Sequence, residues 1–248
     1  MTQLSALVDG IDNTWSRVFR PLMKEMFVKE LDAFLAAEMN LSQVCPEPDD
    51  WFRAFKTTPP EMVKCVIIGQ DPYMNGEAMG LSFSVKPGYK LTPSARNIVK
   101  ELTGAPKVDH NGDFSHWADQ GVLMLNSCLT TRFSVPGAHG KQGWEMLTSY
   151  AIDYLSTLDQ PIVYLAWGKW AHNIAARDTN PKHAVIKTSH PSPLAATRSS
   201  KNFPAFIGSE CFVKANAFLE RHECMAIDWL PAVEEVASAT EETQGSLF

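Results

Sequence analysis

The chain has 248 residues, of which 45% are hydrophobic, and its formal net charge is -6 at neutral pH. This length and composition indicate one globular domain, or one domain with extensions, that is large enough to bury a substantial core. No run of roughly 18 apolar residues is present and the N-terminus lacks the layout of a signal peptide, which excludes a transmembrane helix and favours a cytoplasmic protein.

Residues 1–44 are predicted to form a helical extension that packs on the main domain. Residues 15–22 and 27–35 carry apolar side chains three and four positions apart, which is the spacing of an amphipathic helix. A loop is predicted at 40–50. A short helix is predicted at 51–55, where two threonines and two prolines follow closely and end it.

Four short apolar runs follow, and each ends in polar or conformationally special residues. Helical stretches separate them, so we predict an α/β domain over residues 45–231 with a mostly parallel, four-stranded sheet flanked by helices. Ligand sites of such sheets lie at the carboxyl ends of the strands. The predicted strands are 63–68, 122–125, 162–166 and 184–186, and the predicted helices are 93–102, 144–158 and 171–177.

The charged residues are distributed unevenly along the chain. Residues 169–221 contain eight lysines or arginines and three acidic residues, whereas the segment after Pro231 contains four glutamates and no basic residue. We predict that residues 232–248 form an acidic, disordered tail. The net negative charge argues against a nucleic-acid partner, but a basic face within 169–221 and a scattered, solvated surface both remain open.

The cysteines and histidines show no metal-binding pattern. No two of the five cysteines form a CxxC pair, and the seven histidines lack metal-ligand spacing. Buried free thiols are the simplest interpretation of the cysteines. We therefore expect neither a metal nor another cofactor.

Polar and aromatic side chains near the ends of the predicted strands would share one pocket. They are a carboxylate (Asp71), an imidazole (His190), an amide (Asn126) and two aromatic rings (Tyr73 and Phe83). An aspartate and a histidine without a metal or a nucleotide-binding fingerprint suit hydrolysis in which a water is oriented and charge is stabilised. The amide matches a nucleobase edge, and an aromatic face provides a stacking surface.

Each of these side chains also has a purely structural interpretation. Asp71 could cap a turn or a helix, and Asn126 could cap a turn. His190 precedes a proline and could be a satisfied structural histidine. Phe83 lies in residues 81–85, whose alternation is typical of a strand, so it could be a core residue.

Four motifs together resemble the family-1 uracil-DNA glycosylases. They are Gly-Gln-Asp-Pro-Tyr at 69–73, Gly-Leu-Ser-Phe-Ser-Val at 80–85, Leu-Asn at 125–126 and His-Pro-Ser-Pro-Leu at 190–194. The resemblance runs from about Cys45 to Leu230 in the family's order. It implies a three-layer α/β/α fold and a monomeric, metal-free enzyme that removes uracil from single- and double-stranded DNA and leaves an abasic site.

The resemblance assigns the chemistry to the strand-end residues. Asp71 orients the attacking water and stabilises the cationic sugar, while neutral His190 donates a hydrogen bond to uracil O2. Asn126 reads the uracil edge and rejects cytosine, Phe83 stacks on the flipped base, and Tyr73 excludes the methyl group of thymine. Gln70 lines the same pocket through its backbone.

The resemblance also assigns residues to the DNA contact. Leu194 is a wedge that enters the duplex where the base has left. Serine–proline loops pinch the backbone phosphates, and DNA-mimic inhibitor proteins are further candidate partners of the same surface. The remaining residues implied to touch DNA are Pro93, Ser94, Gly168, Lys169 and Ser192.

Several positions depart from the family's pattern. Met74 stands where a histidine usually follows Asp-Pro-Tyr, and Met79 replaces another customary histidine. The loop 74–79 is one residue shorter, and Lys169 replaces a common serine. These departures motivate an alternative: a glycosylase-fold DNA-binding or replication-accessory protein with weak activity. A glycosylase with altered base preference is a third interpretation, against which unaltered Tyr73 and Asn126 argue.

The last five residues suggest a further partner. Gln244, Leu247 and Phe248 form a Gln-x-x-Leu-Phe pattern, which resembles the peptide by which bacterial replication and repair proteins bind the sliding clamp. A disordered segment that presents an amide and two apolar anchors suits binding in a pocket. An unremarkable tail is the alternative.

Overall fold

The computed structural model describes residues 3–105 and 110–230. Over the first part of the chain its elements are α1 (Gln3–Asp9), α2 (Thr14–Phe19), α3 (Met26–Leu41), β1 (Val44–Cys45), α4 (Arg53–Thr57), β2 (Cys65–Gly69) and α5 (Pro93–Thr103). The later elements are α6 (Ser115–Asp119), β3 (Val122–Asn126), β4 (Thr131–Arg132), α7 (Trp144–Leu155), β5 (Val163–Trp167), α8 (Gly168–Ala175), β6 (Ala184–Thr188) and α9 (Cys211–Arg221). Short 3-10 helices occupy Arg20–Lys24, Pro48–Asp50 and Pro60–Met62.

The centre of the fold is a parallel, four-stranded sheet in the order β3-β2-β5-β6. Every residue of β2, β3 and β5 is buried, which explains why these strands read as continuous apolar runs. The edge strand β6 alternates between exposed and partly covered residues. Helices flank this sheet, so the α/β/α architecture predicted from the sequence is confirmed.

The register of the sheet brings the strand ends together. Gly69 at the end of β2 pairs with Asn126 at the end of β3, and Trp167 at the end of β5 pairs with Thr188 of β6. Because the strands are parallel, their carboxyl ends meet at one edge of the sheet. The segments that follow β2, β3 and β6 therefore leave the sheet on the side where the candidate site lies.

The N-terminal helices share the main hydrophobic core. Trp15 of α2 is fully buried, stacks on Phe19 at 5.4 Å between ring centroids and meets Phe55 edge to face at 5.1 Å. Its indole Nε1 donates to the carbonyl of Thr58 at 2.8 Å. Asn13 caps α2 and ties it to the carbonyl of Phe55 as well. Residues before β1 thus pack directly on the segment that precedes β2.

Local structure differs from the sequence-based expectation in three places. Residues 81–85 form bends and turns instead of the strand that their alternation suggests. The helix after β5 begins at Gly168, directly at the strand end, and not at residue 171. Helices α6 and α9 and the antiparallel pair of β1 with β4 were not expected from the sequence. In the described ranges, no helix has both the length and the apolarity needed to cross a bilayer.

Candidate active site

A cavity of about 560 Å³ opens where β2, β3 and β6 end. Of the twelve site residues predicted from the sequence, all except Gly168 and Lys169 line this cavity. Parallel strands and the loops behind them therefore bring together segments that are more than a hundred residues apart in the chain. The predicted residues in its wall are Gln70, Asp71, Tyr73, Phe83, Pro93, Ser94, Asn126, His190, Ser192 and Leu194.

Asp71 extends from the loop that leaves β2. Its Oδ2 accepts a hydrogen bond from the backbone N–H of Gly137 at 2.7 Å, and none of the described residues donates to its other carboxylate oxygen. Partial burial raises the pKa of Asp71, and the hydrogen bond from Gly137 opposes that shift. One oxygen is thus held by the protein, while the other is free to bind a molecule in the cavity.

His190 follows β6 and presents its ring to the same cavity. Its Nδ1 accepts a hydrogen bond from the backbone N–H of Ser192 at 3.0 Å. Burial lowers the pKa of His190, so the neutral ring is favoured at neutral pH. In a neutral ring whose Nδ1 is an acceptor, the hydrogen resides on Nε2. His190 is therefore a neutral hydrogen-bond donor with a fixed tautomer.

Gly168 supports His190 from behind. A Cβ added at Gly168 would lie 3.0 Å from the Cβ of His190, and the φ of Gly168 is +86°, a conformation that L side chains rarely adopt. The neighbouring Lys169 is exposed and lies outside the cavity wall. The two residues predicted to contact DNA here are thus placed beside the cavity and not in it.

The loop that carries His190 is tied to its surroundings. Ser189 Oγ donates to the carbonyl of Ala195 at 2.8 Å and closes the loop on itself. Asn97 of α5 donates from Nδ2 to the carbonyl of Pro191 at 2.7 Å. Leu194, at the outer end of the loop, is 78% exposed. A large apolar side chain is therefore held in solvent by a braced loop at the rim of the cavity.

Tyr73 is fixed by two hydrogen bonds. Thr92 Oγ1 bonds the phenol oxygen at 2.7 Å, and the phenol reaches the carbonyl of Phe83 at 3.4 Å. Burial raises the pKa of Tyr73 to about 12, so it stays protonated. Sequence reasoning missed Thr92, because a threonine before Pro93 indicates a helix cap. Thr92 is also that cap, since Oγ1 accepts from Ala95 N–H.

Phe83 has a strained backbone that aims its ring at the cavity. Its φ is +62°, which is rare for an aromatic residue and costs on the order of 1–3 kcal/mol. The ring meets Trp167 edge to face at 5.2 Å and lies 5.8 Å from the ring of His190. Ser82 Oγ bonds the carbonyl of Ile67 and anchors the segment to β2. The strand-core interpretation of Phe83 is wrong, because residues 81–85 form no strand.

Asn126 lies across the end of β2. A Cβ at Gly69 would lie 2.1 Å from Asn126 Oδ1, so only glycine leaves room for the amide at this position. Within the described residues, no protein group hydrogen-bonds the amide of Asn126. A buried amide that borders a cavity without a protein partner is suited to bind a ligand with both a donor and an acceptor.

The departures from the family's pattern also have clear positions. Met74 lines the cavity, so an apolar side chain stands there in place of a hydrogen-bonding one. Its backbone carbonyl accepts from Ser134 N–H at 2.8 Å, which fixes the loop. Met79 is buried away from solvent, where its sulfur accepts from Ser84 Oγ at 3.1 Å.

Comparison with known proteins first establishes the class of protein to which the chain belongs. A family model described as the uracil DNA glycosylase superfamily matches residues 55–220, and the chain belongs to that superfamily. The resemblance drawn from the motifs is thereby confirmed.

Named relatives show which proteins of this superfamily the chain is similar to. The uracil-DNA glycosylase of Bacillus pumilus is 41% identical over 223 residues, covering 88% of this chain and 96% of the relative. That of Acinetobacter baylyi is 42% identical over 224 residues, covering 88% and 92%. Among solved structures, mimivirus uracil-DNA glycosylase has a TM-score of 0.80 at 29% identity over 87% of this chain and 85% of that one. A variant of the mimivirus protein in complex with UGI has a TM-score of 0.81 at 30% identity, covering 87% of each chain.

Proposed function

We propose that this chain is a monofunctional uracil-DNA glycosylase, which flips uracil out of DNA, hydrolyses its N-glycosidic bond and leaves an abasic site. One observation carries the proposal. A carboxylate, a neutral imidazole and an unpaired amide converge on one cavity, from Asp71, His190 and Asn126, in a chain about 41% identical to named uracil-DNA glycosylases. Base excision repair is the process that this reaction begins.

Asp71 acts on the sugar and the water. Departure of the base leaves positive charge on the sugar, and a nearby carboxylate stabilises that charge. The free oxygen of Asp71 orients the attacking water, while Gly137 holds the other oxygen in place. The raised pKa of the carboxylate makes it a better proton acceptor than an exposed aspartate, provided that it is ionised at the working pH.

His190 acts on the leaving base. As the bond breaks, negative charge develops on uracil, and the Nε2–H of His190 donates a hydrogen bond to its O2. Ser192 N–H occupies the other nitrogen, which prevents the tautomer that would place an acceptor toward the base. A neutral donor also avoids the cost of keeping an imidazolium buried in this site.

Three side chains select the base. The amide of Asn126 pairs with the N3–H and O4 of uracil, and cytosine exchanges donor and acceptor at both positions; such a bidentate pair is worth about 1–3 kcal/mol of discrimination. Phe83 provides the stacking face, which is worth about 1–3 kcal/mol. The locked ring of Tyr73 occupies the space that the methyl group of thymine needs. Gln70 lines this pocket beside Asp71.

The rim of the cavity holds the DNA. Leu194 enters the gap that the flipped base leaves, and the exposure of its side chain supports that role. Ser94 at the start of α5 and Ser192 in the His190 loop contact the phosphates on either side, with Pro93 stiffening the first of these segments. Gly168 brings Lys169 to the strand end, where its ammonium adds a salt-sensitive phosphate contact.

Two further partners are part of the proposal. The tail residues Gln244, Leu247 and Phe248 lie outside the described residues, and we propose that they bind a sliding clamp. If this is right, deletion of residues 245–248 should abolish clamp pull-down and should leave uracil release from short oligonucleotides unchanged. Because a solved relative is in complex with UGI, we also propose that an acidic, DNA-mimicking protein inhibits this chain by covering the cavity.

Release of free uracil from a uracil-containing oligonucleotide tests the main proposal. Wild type should release uracil, and Asp71→Asn and His190→Ala should each reduce release by orders of magnitude while binding of the oligonucleotide persists. Arg177→Leu, which breaks a surface ion pair with Asp153, is the control for a general effect on folding. Absence of release by wild type overturns the proposed activity, and full release by both variants overturns the proposed roles.

A further inference from the structure

Glu38 is a buried carboxylate in helix α3, far from the cavity in sequence and outside the matched residues 55–220. Its side chain is 4% exposed and accepts two hydrogen bonds from Arg132, from Nε at 2.5 Å and from Nη2 at 3.0 Å. His139 Nε2 lies 3.5 Å from the same carboxylate, and Ser42 Oγ bonds it from the last turn of α3. These contacts hold the pKa of Glu38 at about 2, chiefly through the hydrogen bond from Arg132.

Glu38 contacts both ends of one loop. We call residues 132–139 the bridging loop. Arg132 begins it, His139 ends it, and Gly137 within it donates its N–H to Asp71 at 2.7 Å. His139 is buried, bonds Thr130 Oγ1 through Nδ1 at 2.8 Å and meets the ring of Phe34, also on α3, edge to face at 5.1 Å. One carboxylate on an N-terminal helix is therefore two contacts away from the proposed catalytic carboxylate.

The start of the bridging loop is fixed as far as Val135, because the β1–β4 pairing, Gln43, Met74 and Thr131 all contact residues 132–135. Residues 136–138 have fewer anchors. A Cβ at Gly137 would meet nothing within 4 Å, and the carbonyl of Gly137 accepts from Gly140 N–H at 3.1 Å. The far end is held by His139, which packs against Glu38 and α3 and also bonds Thr130.

We propose that Glu38 is a positioning residue for Asp71: by holding both ends of the bridging loop it keeps the N–H of Gly137 on the carboxylate of Asp71. This inference rests on the proposed role of Asp71 and assigns a part in catalysis to helix α3. Loss of the Glu38 contacts loosens residues 136–139, which weakens the hydrogen bond from Gly137 to Asp71. The carboxylate becomes both less well oriented and harder to ionise.

Several titratable groups line the two cavities that Asp71 borders. These are the main cavity and a smaller one of about 320 Å³ behind it. The pH–rate profiles are therefore compared only between variants that keep these groups unchanged. The groups are Tyr73, Glu77 and His190 in the main cavity, and Cys128, Lys141 and Glu145 in the smaller one.

A pair of matched arginine variants tests the inference. Arg132→Leu removes the two bonds to Glu38, and Arg177→Leu removes two similar bonds to Asp153 away from the cavity; the two arginine side chains are 44% and 43% exposed. Single-turnover uracil release is measured from pH 4 to pH 9. We expect Arg132→Leu to lower the rate at neutral pH about ten-fold and to move the acid limb upward by about one pH unit. Arg177→Leu should change neither quantity, and oligonucleotide affinity should stay the same in both.

Glu38→Gln is the second variant, because its amide keeps the size of the carboxylate and part of the bonding to Arg132. It should fall between wild type and Arg132→Leu in rate and in the position of the acid limb. Backbone amide exchange over residues 131–140 should quicken in the same order. The positioning role is overturned if both variants, Arg132→Leu and Glu38→Gln, keep the rate and the acid limb of wild type and differ from it only in a lower melting temperature. Failure of wild type to release uracil would instead overturn the proposed function.

Discussion

Asn126 Oδ1 lies so close to the α-carbon of Gly69 that a methyl group on that carbon would lie 2.1 Å from the oxygen. The two residues are register partners at the ends of β2 and β3. The pairing of two parallel strands thus places the amide that we propose reads the base, and the glycine of the first motif makes room for it.

Gly69→Ala is expected to displace the amide of Asn126. The new methyl group would also meet the Cβ of Ser82 at 3.1 Å, so relief of the clash falls on the amide of Asn126, which borders the open cavity. We expect KM for a uracil-containing oligonucleotide to rise about ten-fold or more, equivalent to the loss of one bidentate base contact. Gly10→Ala is the control, because its methyl group would make ordinary contacts of 3.4 Å or more. Equal kinetics for both variants would contradict the close-packing argument.

The pKa of Asp71 links activity to stability. Burial raises this pKa in the folded protein above its ordinary value of about 3.9. The folded state then binds the proton more tightly than the unfolded chain does, so stability falls as pH rises from about 4 through the folded pKa. At pH 7 the ionised carboxylate therefore lowers the free energy of unfolding. We expect Asp71→Asn to be inactive yet to melt at a higher temperature than wild type at pH 7.

The same comparison at low pH provides the check on that prediction. Well below the ordinary pKa of about 3.9 the carboxyl group of wild type is protonated in both states, so the difference in melting temperature should shrink. Asp12→Asn, at an exposed position, is the control variant. An Asp71→Asn variant that melts below wild type at pH 7 would mean that the Gly137 hydrogen bond outweighs burial.

Thr92 is expected to support the proposed exclusion of thymine, because it holds the ring of Tyr73 in place. Thr92→Val keeps the shape of the side chain but removes the hydroxyl that bonds Tyr73 at 2.7 Å. Loss of one hydrogen bond is worth about 1 kcal/mol, so we expect the preference for uracil over thymine to drop about five-fold. Thr92→Ser keeps the hydroxyl and should retain the preference. The measurement is competitive excision from matched oligonucleotides, and equal selectivity in both variants would contradict the proposal.

Thr92 and Phe83 illustrate how much of the site can be predicted from the sequence. Buried parallel strands are continuous apolar runs, so all four strands and the residues at their ends could be located without coordinates. Phe83 is ambiguous in the sequence because alternation over 81–85 mimics a strand, whereas the structure gives it a positive φ. Nothing in the sequence marks Thr92 as a site residue, because its contact with Tyr73 joins residues 19 positions apart.

The roles of Gly137 and Glu38 could not be predicted from the sequence, for a different reason. No local pattern marks a backbone N–H as the donor to Asp71, because that contact joins residues 66 positions apart. Glu38 lies in an amphipathic helix, where a glutamate ordinarily indicates a solvated face. Its burial follows from the pairing of β1 with β4, two strands of only two residues each, which are too short to produce a periodic signal.

Leu194 is expected to separate duplex from single-stranded activity. Its side chain is 78% exposed, so Leu194→Ala removes few internal contacts and should leave the melting temperature unchanged. A wedge is needed only where a base leaves a stack, so excision from duplex DNA should fall about ten-fold or more while excision from a single strand changes little. Exposed Met225, at 81%, provides the control variant Met225→Ala. An equal loss on both substrates would indicate that Leu194 contacts the DNA in another way.

Met74 is the departure from the family's pattern that bears most directly on rate. Its side chain lines the cavity, while its backbone carbonyl is fixed by Ser134 N–H at 2.8 Å. Met74→His therefore adds a hydrogen-bonding group without releasing the loop. If the missing donor limits the reaction, kcat should rise several-fold with little change in KM, because the new group acts on water or phosphate near Asp71 and not on the base. Single-turnover and steady-state uracil release measured together distinguish a faster chemical step from faster product release. An unchanged or lower single-turnover rate would show that other groups in the cavity already compensate for Met74.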